Sequence, residues 1–212
     1  MSINPLDQKT IQLLDSMNLA DLRRKVNEIV KFCNKSAKEQ EKSLPNIRTL
    51  KMRKGSTPLS IYKECKKLFD CWCWYEDELK NVKSDRTCDK DYEIEFKDCV
   101  EADEDLENLS ADDLKEKGII GITLEERLQM ELDYFKETGE HLDIDNVTLC
   151  SGSRCAGGHI PSVDWHSGHD ELRVGRYFPD HADVYLRSRQ QINPCNSVTL
   201  SLSTIEIDGV SK

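Results

Sequence analysis

Ile122–Gly139, with the sequence ITLEERLQMELDYFKETG, is the stretch that decides the fold of the C-terminal part of this chain. Thr123 and Glu126 have the spacing of a capping box, and Gly139 is a natural helix end. Between them apolar residues recur at helical spacing, at Leu124, Leu128, Leu132 and Phe135. The stretch therefore predicts an amphipathic helix that buries one face.

Beyond Gly139 the pattern of apolar residues changes from helical to alternating. Alternation is present in NVTLC from Asn146, in PSVDW from Pro161 and in ELRVGRYF from Glu171. A period of two predicts short antiparallel strands with one buried face. The same pattern in SVTLSLSTIEI, residues 197–207, predicts a further strand with a bulge near Thr204. The fold class predicted is α+β, with an N-terminal helical module followed by a helix packed on a small antiparallel β-sheet with long loops.

Charge divides the 212 residues unevenly, although the net charge is −10. Residues 1–84 contain 17 Lys and Arg against 11 Asp and Glu, whereas residues 85–117 contain 5 against 14. A change of composition of this size is typical of a boundary between modules. We therefore predict a basic helical module at 1–84, an acidic connector at 85–117 and an α+β loop-display module at 118–212.

Two helices are predicted in the basic module. NLADLRRKVNEIVKFC, with Asn18 as its N-cap, has an apolar stripe at helical spacing. The second helix begins at Thr57 and Pro58, a suitable cap and first helical residue. Its apolar positions follow a heptad seam, at Ile61, Cys65, Leu68, Trp72, Tyr75 and Leu79. We expect this seam to be the buried contact of the module.

The start of the chain and its cysteine content bear on location. MSINPLDQKT lacks the cationic start and apolar core of a secretory signal, and no apolar run reaches the roughly 20 residues of a membrane helix. Nine cysteines without such a signal favour reduced thiols over disulfides. We expect a cytoplasmic protein that does not contact a membrane.

Cys150–His169 holds two cysteines and three of the five histidines. Ser167 and Gly168 have the composition of a hairpin tip between two strands, with His166 and His169 on its flanks. Cysteine and histidine are the preferred zinc ligands, so one hypothesis is a zinc site. The candidate ligands are Cys150, Cys155, His159 and His166, with His169 as an alternative to His166, in a zinc-binding module or a small zinc-dependent enzyme.

The other hypothesis for this region is a contact surface, because its loops are rich in aromatic, arginine, serine and glycine residues. ELRVGRYFPDHADVYLRSRQ, a β-ribbon followed by a loop and a closing LRSR strand, resembles the ligand-display end of the C-type-lectin-like variable proteins of bacteria and their phages. The resemblance covers residues 119–192 and implies binding of a protein or other macromolecular ligand. The expected contact residues are Trp165, His166, His169, Arg173, Tyr177, His181 and Tyr185.

Two further functions follow from other features of the sequence. NIRTLKMRKGS contains Arg48, Lys51, Arg53 and Lys54, which makes nucleic-acid binding by the basic N-terminal region an alternative. The sequence contains no nucleophile elbow, zincin motif, phosphate-binding loop or dinucleotide fingerprint. The leading prediction is therefore a non-enzymatic binding protein with no catalytic residues and no cofactor other than the hypothetical zinc.

Overall fold

The computed structural model describes residues 46–192 and, before them, only Lys25 and Val30, which are helical. The described range belongs to the second of two units of the chain, Asn46–Lys212. The rest of the predicted Asn18–Cys33 helix and the predicted strand at 197–207 lie outside the described residues. No helix in the described residues is long and apolar enough to cross a membrane.

This unit contains both strands and helices, and its strands pair with partners that are near or far along the chain. Its strands are β1 (Ile47–Met52), β2 (Cys71–Cys73), β3 (Lys83–Ser84), β4 (Tyr92–Lys97), β5 (Val147–Leu149), β6 (Ser153–Arg154), β7 (Ile160–His166), β8 (Glu171–Tyr177) and β9 (Leu186–Arg187). Its α-helices are α1 (Pro58–Cys65), α2 (Ala111–Glu116) and α3 (Leu124–Thr138), and 3-10 turns occupy Glu76–Asn81, Glu104–Leu106 and Ala156–Gly158. The coarse prediction of an α+β fold is confirmed.

Helix α3 forms as its sequence predicts. The Thr123 hydroxyl accepts from the Glu126 N–H, and the Glu126 carboxylate accepts from the Thr123 N–H at 2.8 Å, so the capping box is complete. Gly139 ends the helix with φ 77°, a left-handed conformation that glycine adopts without a steric penalty. Leu124, Leu128 and Leu132 are buried in the core that α3 shares with the main sheet.

Within residues 46–192 the main sheet has five strands, in the order β2-β8-β7-β5-β9. Strands β7 and β8 form the predicted antiparallel hairpin, and β5 also pairs antiparallel with β7. The two outer strands, β2 and β9, run parallel to their neighbours β8 and β5. The sheet is therefore mixed and not purely antiparallel, because its edges come from distant parts of the chain.

The second predicted helix is correct at its start and wrong in its length. Thr57 caps α1 and Pro58 is its first residue, but the helix ends at Cys65. Cys71–Cys73 is a strand, since the CWC run of aromatic and cysteine residues suits an extended backbone and pairs with β8. The predicted heptad seam is therefore interrupted: Leu68 and Trp72 are 46% and 41% exposed, although the four other seam residues, Ile61, Cys65, Tyr75 and Leu79, are buried in the core.

The three predicted modules are not separate within the described residues. Strand β1, from the basic segment, pairs along its whole length with β4, from the acidic segment. Ile94 and Phe96 of β4 are buried in the same core as Leu128 of α3. The acidic segment therefore contributes to the core and does not serve as a connector there.

Four charged residues are buried beneath the sheet. Asp143, which has a positive φ of 56°, accepts from Arg127 at 2.8 Å and from Arg189 at 2.7 Å. Arg127 also donates to Glu131 at 2.8 Å, and all four side chains are fully shielded from solvent. This buried charge network links α3 to the loops before β5 and after β9, and so fixes the sheet against the helix.

Candidate functional site

The hairpin of β7 and β8 has one face in the core and one face outside. Val163 lies opposite Val174 and Trp165 opposite Leu172, and all four are buried. Ser162 lies opposite Gly175 and Asp164 opposite Arg173, which places these residues on the outer face. Strand β2 continues this face, because Trp72 is aligned with Arg173.

An ion pair lies on the outer face between the two strands. Arg173 donates to one oxygen of Asp164 through Nε at 3.0 Å and Nη2 at 2.5 Å. Burial raises the pKa of Asp164, and the bonds from Arg173 offset part of that effect. The pair gives this face a polar but nearly neutral floor. Beside the pair, a Cβ at Gly175 would lie only 3.0 Å from the Ser162 hydroxyl, so glycine at this position leaves the space above Ser162 free.

Aromatic side chains stand on both sides of this floor. The rings of Trp72 and Trp74 meet edge to face, with their centroids 5.8 Å apart, and Trp74 is 70% exposed. On the other side Phe178 is 64% exposed, and the centroid of its ring lies 4.7 Å from that of the His159 ring. Tyr177 is stacked on His181 at 5.0 Å.

These groups enclose a cleft of about 670 Å³, which we call the aromatic groove. It is lined by Trp72, Trp74, His159, Ser162, Asp164, Arg173, Gly175, Arg176, Tyr177, Phe178 and His181. Its volume lies in the range of about 300–1,000 Å³ that is usual for ligand sites. Aromatic walls with a few convergent polar groups are the usual composition of such sites.

Two imidazole nitrogens in the walls have unused hydrogen-bonding capacity. His159 Nδ1 and His181 Nε2 are shielded from solvent and have no hydrogen-bond partner within residues 46–192. Buried polar atoms are nearly always paired in folded proteins. Each histidine therefore has one ring nitrogen beside the groove that could form a hydrogen bond with a ligand after a small movement of the side chain.

A second depression of about 360 Å³ adjoins the aromatic groove and shares Asp164, Arg173 and Tyr177 with it. His166 and Tyr185, two of the expected contact residues, line this depression. His169 lies at the hairpin tip, where its ring contacts that of His166 at 4.6 Å. The structure thus brings Arg173, Tyr177 and His181 into one groove and places His166, His169 and Tyr185 beside it.

Trp165 was also expected in this contact surface; it borders the second depression, but it is only 7% exposed. Its side chain is buried on the core face of β7 and stacked on the ring of His141. The physical reason is the period of the strand, since Trp165 shares its face with Val163 and not with Asp164 or His166.

The candidate zinc ligands do not converge. His159 precedes β7 and His166 ends it, and seven residues of extended strand separate them by about 23 Å. Burial raises the pKa of the Cys150 thiol well above its ordinary value and also raises that of Cys155, so the surrounding protein groups favour the neutral thiol at both positions. Among the described residues no group of three or more His, Cys, Asp or Glu side chains is placed to hold a metal ion.

The basic residues of β1 are largely paired with acidic neighbours. Arg48 donates to Asp98 at 2.7 Å and to Glu137 at 2.9 Å. Lys51 lies 3.5 Å from Glu93 of the neighbouring strand. Because β1 pairs with the acidic β4, its positive charge is compensated locally, and the described residues offer no continuous basic stripe along this strand.

Of the eleven residues that line the groove, the sequence indicated only Arg173, Tyr177 and His181 as contact residues, with His159 as a candidate zinc ligand. The exposed aromatic residues Trp72, Trp74 and Phe178 were not expected there. Alternation in CWCWY was a usable signal for a strand, but the heptad spacing of the same residues suggested a helix. The alternation of ELRVGRYF predicts Phe178 on the buried face with Leu172 and Val174, yet the strand ends one residue earlier, at Tyr177. Comparison of the chain with protein-family models, with curated proteins and with solved structures found no match.

Proposed function

We propose that this chain is a non-enzymatic binding protein that recognises a macromolecular partner through the aromatic groove. The observation that carries the proposal is the exposure of Trp72, Trp74 and Phe178 around a polar floor. Clustered exposed aromatic residues are uncommon on proteins without a partner and are typical of interaction sites. The resemblance of residues 119–192 to ligand-display domains points to the same kind of function.

The energetic core of such a contact would be the tryptophan and arginine residues of the groove. Tryptophan, tyrosine and arginine are the most frequent hot-spot residues, and truncating a central one costs about 2 kcal/mol or more. That free energy corresponds to about a 30-fold weaker Kd. Trp74, Tyr177 and Arg173 are the residues in the groove that meet this description.

A capture experiment with two matched double variants tests the proposal. The groove variant is Trp74→Ala with Phe178→Ala. The control variant is Val100→Ala with Ile120→Ala, which removes two apolar side chains that are also exposed but lie outside the groove. Both variants should melt close to the parent, because Trp74 and Phe178 are 70% and 64% exposed and Val100 and Ile120 are 42% and 45% exposed.

Immobilised parent and variants are exposed to the same cell extract, and bound proteins are quantified by mass spectrometry. We expect a partner that the parent and the control retain and that the groove variant loses by about tenfold or more. If the groove variant retains every partner that the control retains, the assignment of the groove as the binding site is wrong.

A further inference from the structure

Among the described residues, strand β2 is one edge of the five-stranded sheet, and its hydrogen bonds show which backbone groups are used. The Asp70 carbonyl accepts from the Leu172 N–H at 2.9 Å, and the Trp74 N–H donates to the Val174 carbonyl at 3.3 Å. In a parallel ladder alternate residues face the neighbouring strand, so residues 70, 72 and 74 face β8. The N–H and C=O groups of Cys71 and Cys73 point away from it, and within residues 46–192 they have no hydrogen-bond partner.

The side chains on this edge differ from those of a protected edge. Natural sheets usually shield an edge with lysine, proline, a bulge or a covering element. Here the outer-face residues next to the open backbone are Trp72 and Trp74, both exposed. Cys71 and Cys73 pack against the core on the other face, which holds the strand in a fixed register.

Charges at the two ends of β2 define the chemistry further. Asp70 precedes the strand and Asp77 follows it, and both are exposed. Neither forms an ion pair with any other residue of the described part of the chain. The nearby Lys66 and Lys67 are paired with Glu76 and Glu64, so an occupant of this edge would be favoured by positive charges that face Asp70 and Asp77 on either side of an apolar centre.

We propose that an extended segment of a protein partner adds a strand beside β2. Its backbone bonds to the N–H and C=O groups of Cys71 and Cys73, which lie about 6.6 Å apart as the two-residue repeat of a strand requires. Its outward apolar side chains pack on Trp72 and Trp74, and basic residues at its ends face Asp70 and Asp77. Main-chain bonds with alternate side-chain contacts are the hallmark of recognition by strand addition. This inference rests on the proposed function, since both tryptophans also form one wall of the aromatic groove.

Amide hydrogen exchange on the full chain, followed by NMR, tests the edge residue by residue. The probes are linear peptides of about 12 residues, selected from a phage-displayed random library and then synthesised. In the free protein the amides of Cys71 and Cys73 should exchange fast, whereas those of Trp72 and Trp74, which face β8, should exchange slowly. Bound peptide should slow Cys71 and Cys73 by about tenfold or more and leave Trp72 and Trp74 unchanged.

The alternating amides are each other's control. If Cys71 and Cys73 are already protected in the free chain, another segment of the same chain covers the edge and the proposal is overturned. If the selected peptides bind without slowing these two amides, the proposal is likewise overturned.

Backbone N-methylation of the selected peptide provides the second test. A single methyl group on the backbone nitrogen of a residue that faces β2 should raise the Kd by about tenfold, because it removes an N–H that bonds to β2. The residues that face β2 are every second residue of the peptide. Methylation at the intervening residues should have little effect. Asp70→Asn with Asp77→Asn should weaken the binding of peptides with basic ends, and more so at low salt.

The two proposals fail in different ways. A uniform N-methyl profile together with loss of the captured partner in the Trp74→Ala/Phe178→Ala variant would refute strand addition and leave the groove as the binding site. An alternating profile, with partner capture lost on Trp74→Ala alone and kept on Phe178→Ala alone, would support strand addition and show that the far wall of the groove does not contribute.

Discussion

Asp143→Asn is the most informative single change in the buried charge network of Arg127, Glu131, Asp143 and Arg189. Asparagine has nearly the same shape and also tolerates the left-handed backbone that residue 143 adopts with φ 56°. The substitution therefore removes the negative charge and leaves two guanidinium groups in a fully buried position. The shape is kept, so the effect on stability reports the lost charge together with one lost acceptor, because both Asp143 oxygens accept hydrogen bonds and an asparagine NH2 group cannot.

The remaining contacts set the size of the effect. Breaking a buried ion pair costs about 3–5 kcal/mol. Arg127 keeps its bond to Glu131, and Arg189 keeps its bonds to the Cys99 and Val100 carbonyls at 2.9 and 2.8 Å. These partners place the expected loss in the free energy of unfolding near 3 kcal/mol, which is about 6–12 °C in Tm for a unit of this size.

Urea unfolding followed by tryptophan fluorescence measures this loss directly. The matched control is Asp98→Asn, which breaks the partly exposed pair with Arg48 and should cost less than about 1 kcal/mol. If Asp143→Asn unfolds within about 1 kcal/mol of the parent, the network does not stabilise the fold and the reasoning is refuted.

The stabilisation that Asp143 contributes should depend on pH, and a comparison of the parent with Asp143→Asn measures that dependence. Burial alone would raise the pKa of Asp143, but Arg189 and Arg127 outweigh burial and hold it below the ordinary value of 3.8. A lowered pKa means that the stabilisation is complete above pH 3.8 and disappears as the pH falls through the pKa of the folded state. The difference in stability between parent and variant should therefore be constant at neutral pH and shrink below pH 3.8.

Three smaller predictions follow from the fold. Leu68→Asp should cost less than about 1 kcal/mol because Leu68 is exposed, whereas Leu128→Asp should unfold the protein because it buries a charge; equal effects in thermal melts would contradict the assigned end of α1. Gly139→Ala should cost about 1–2 kcal/mol through its positive φ, and an unchanged Tm would contradict the left-handed helix end. A chelator should leave the Tm unchanged, since the described residues contain no group of three or more candidate ligands placed to hold a metal ion; a fall in Tm would restore the zinc hypothesis.

The sequence alone determined the elements whose signals are local. Thr123, Glu126 and Gly139 mark the ends of α3, because capping bonds and a left-handed helix end involve only neighbouring residues. The hairpin of β7 and β8 follows from alternation on both sides of Ser167 and Gly168, with the tip extended to include His169 and Asp170. Arg173 and Tyr177 could be placed on its outer face for the same reason.

Tertiary structure decided what depends on distant partners. CWCWY fits a helical seam and a strand equally well, and its pairing with β8, a hundred residues away, makes it a strand. That pairing turns Trp72 from an expected core residue into a wall of the aromatic groove, and it opens the edge at Cys71 and Cys73. Acidic β4 becomes part of the core only because β1 lies beside it. Local patterns specify the conformation of a segment, but burial is set by which segments meet, and that is fixed only when the whole chain has folded.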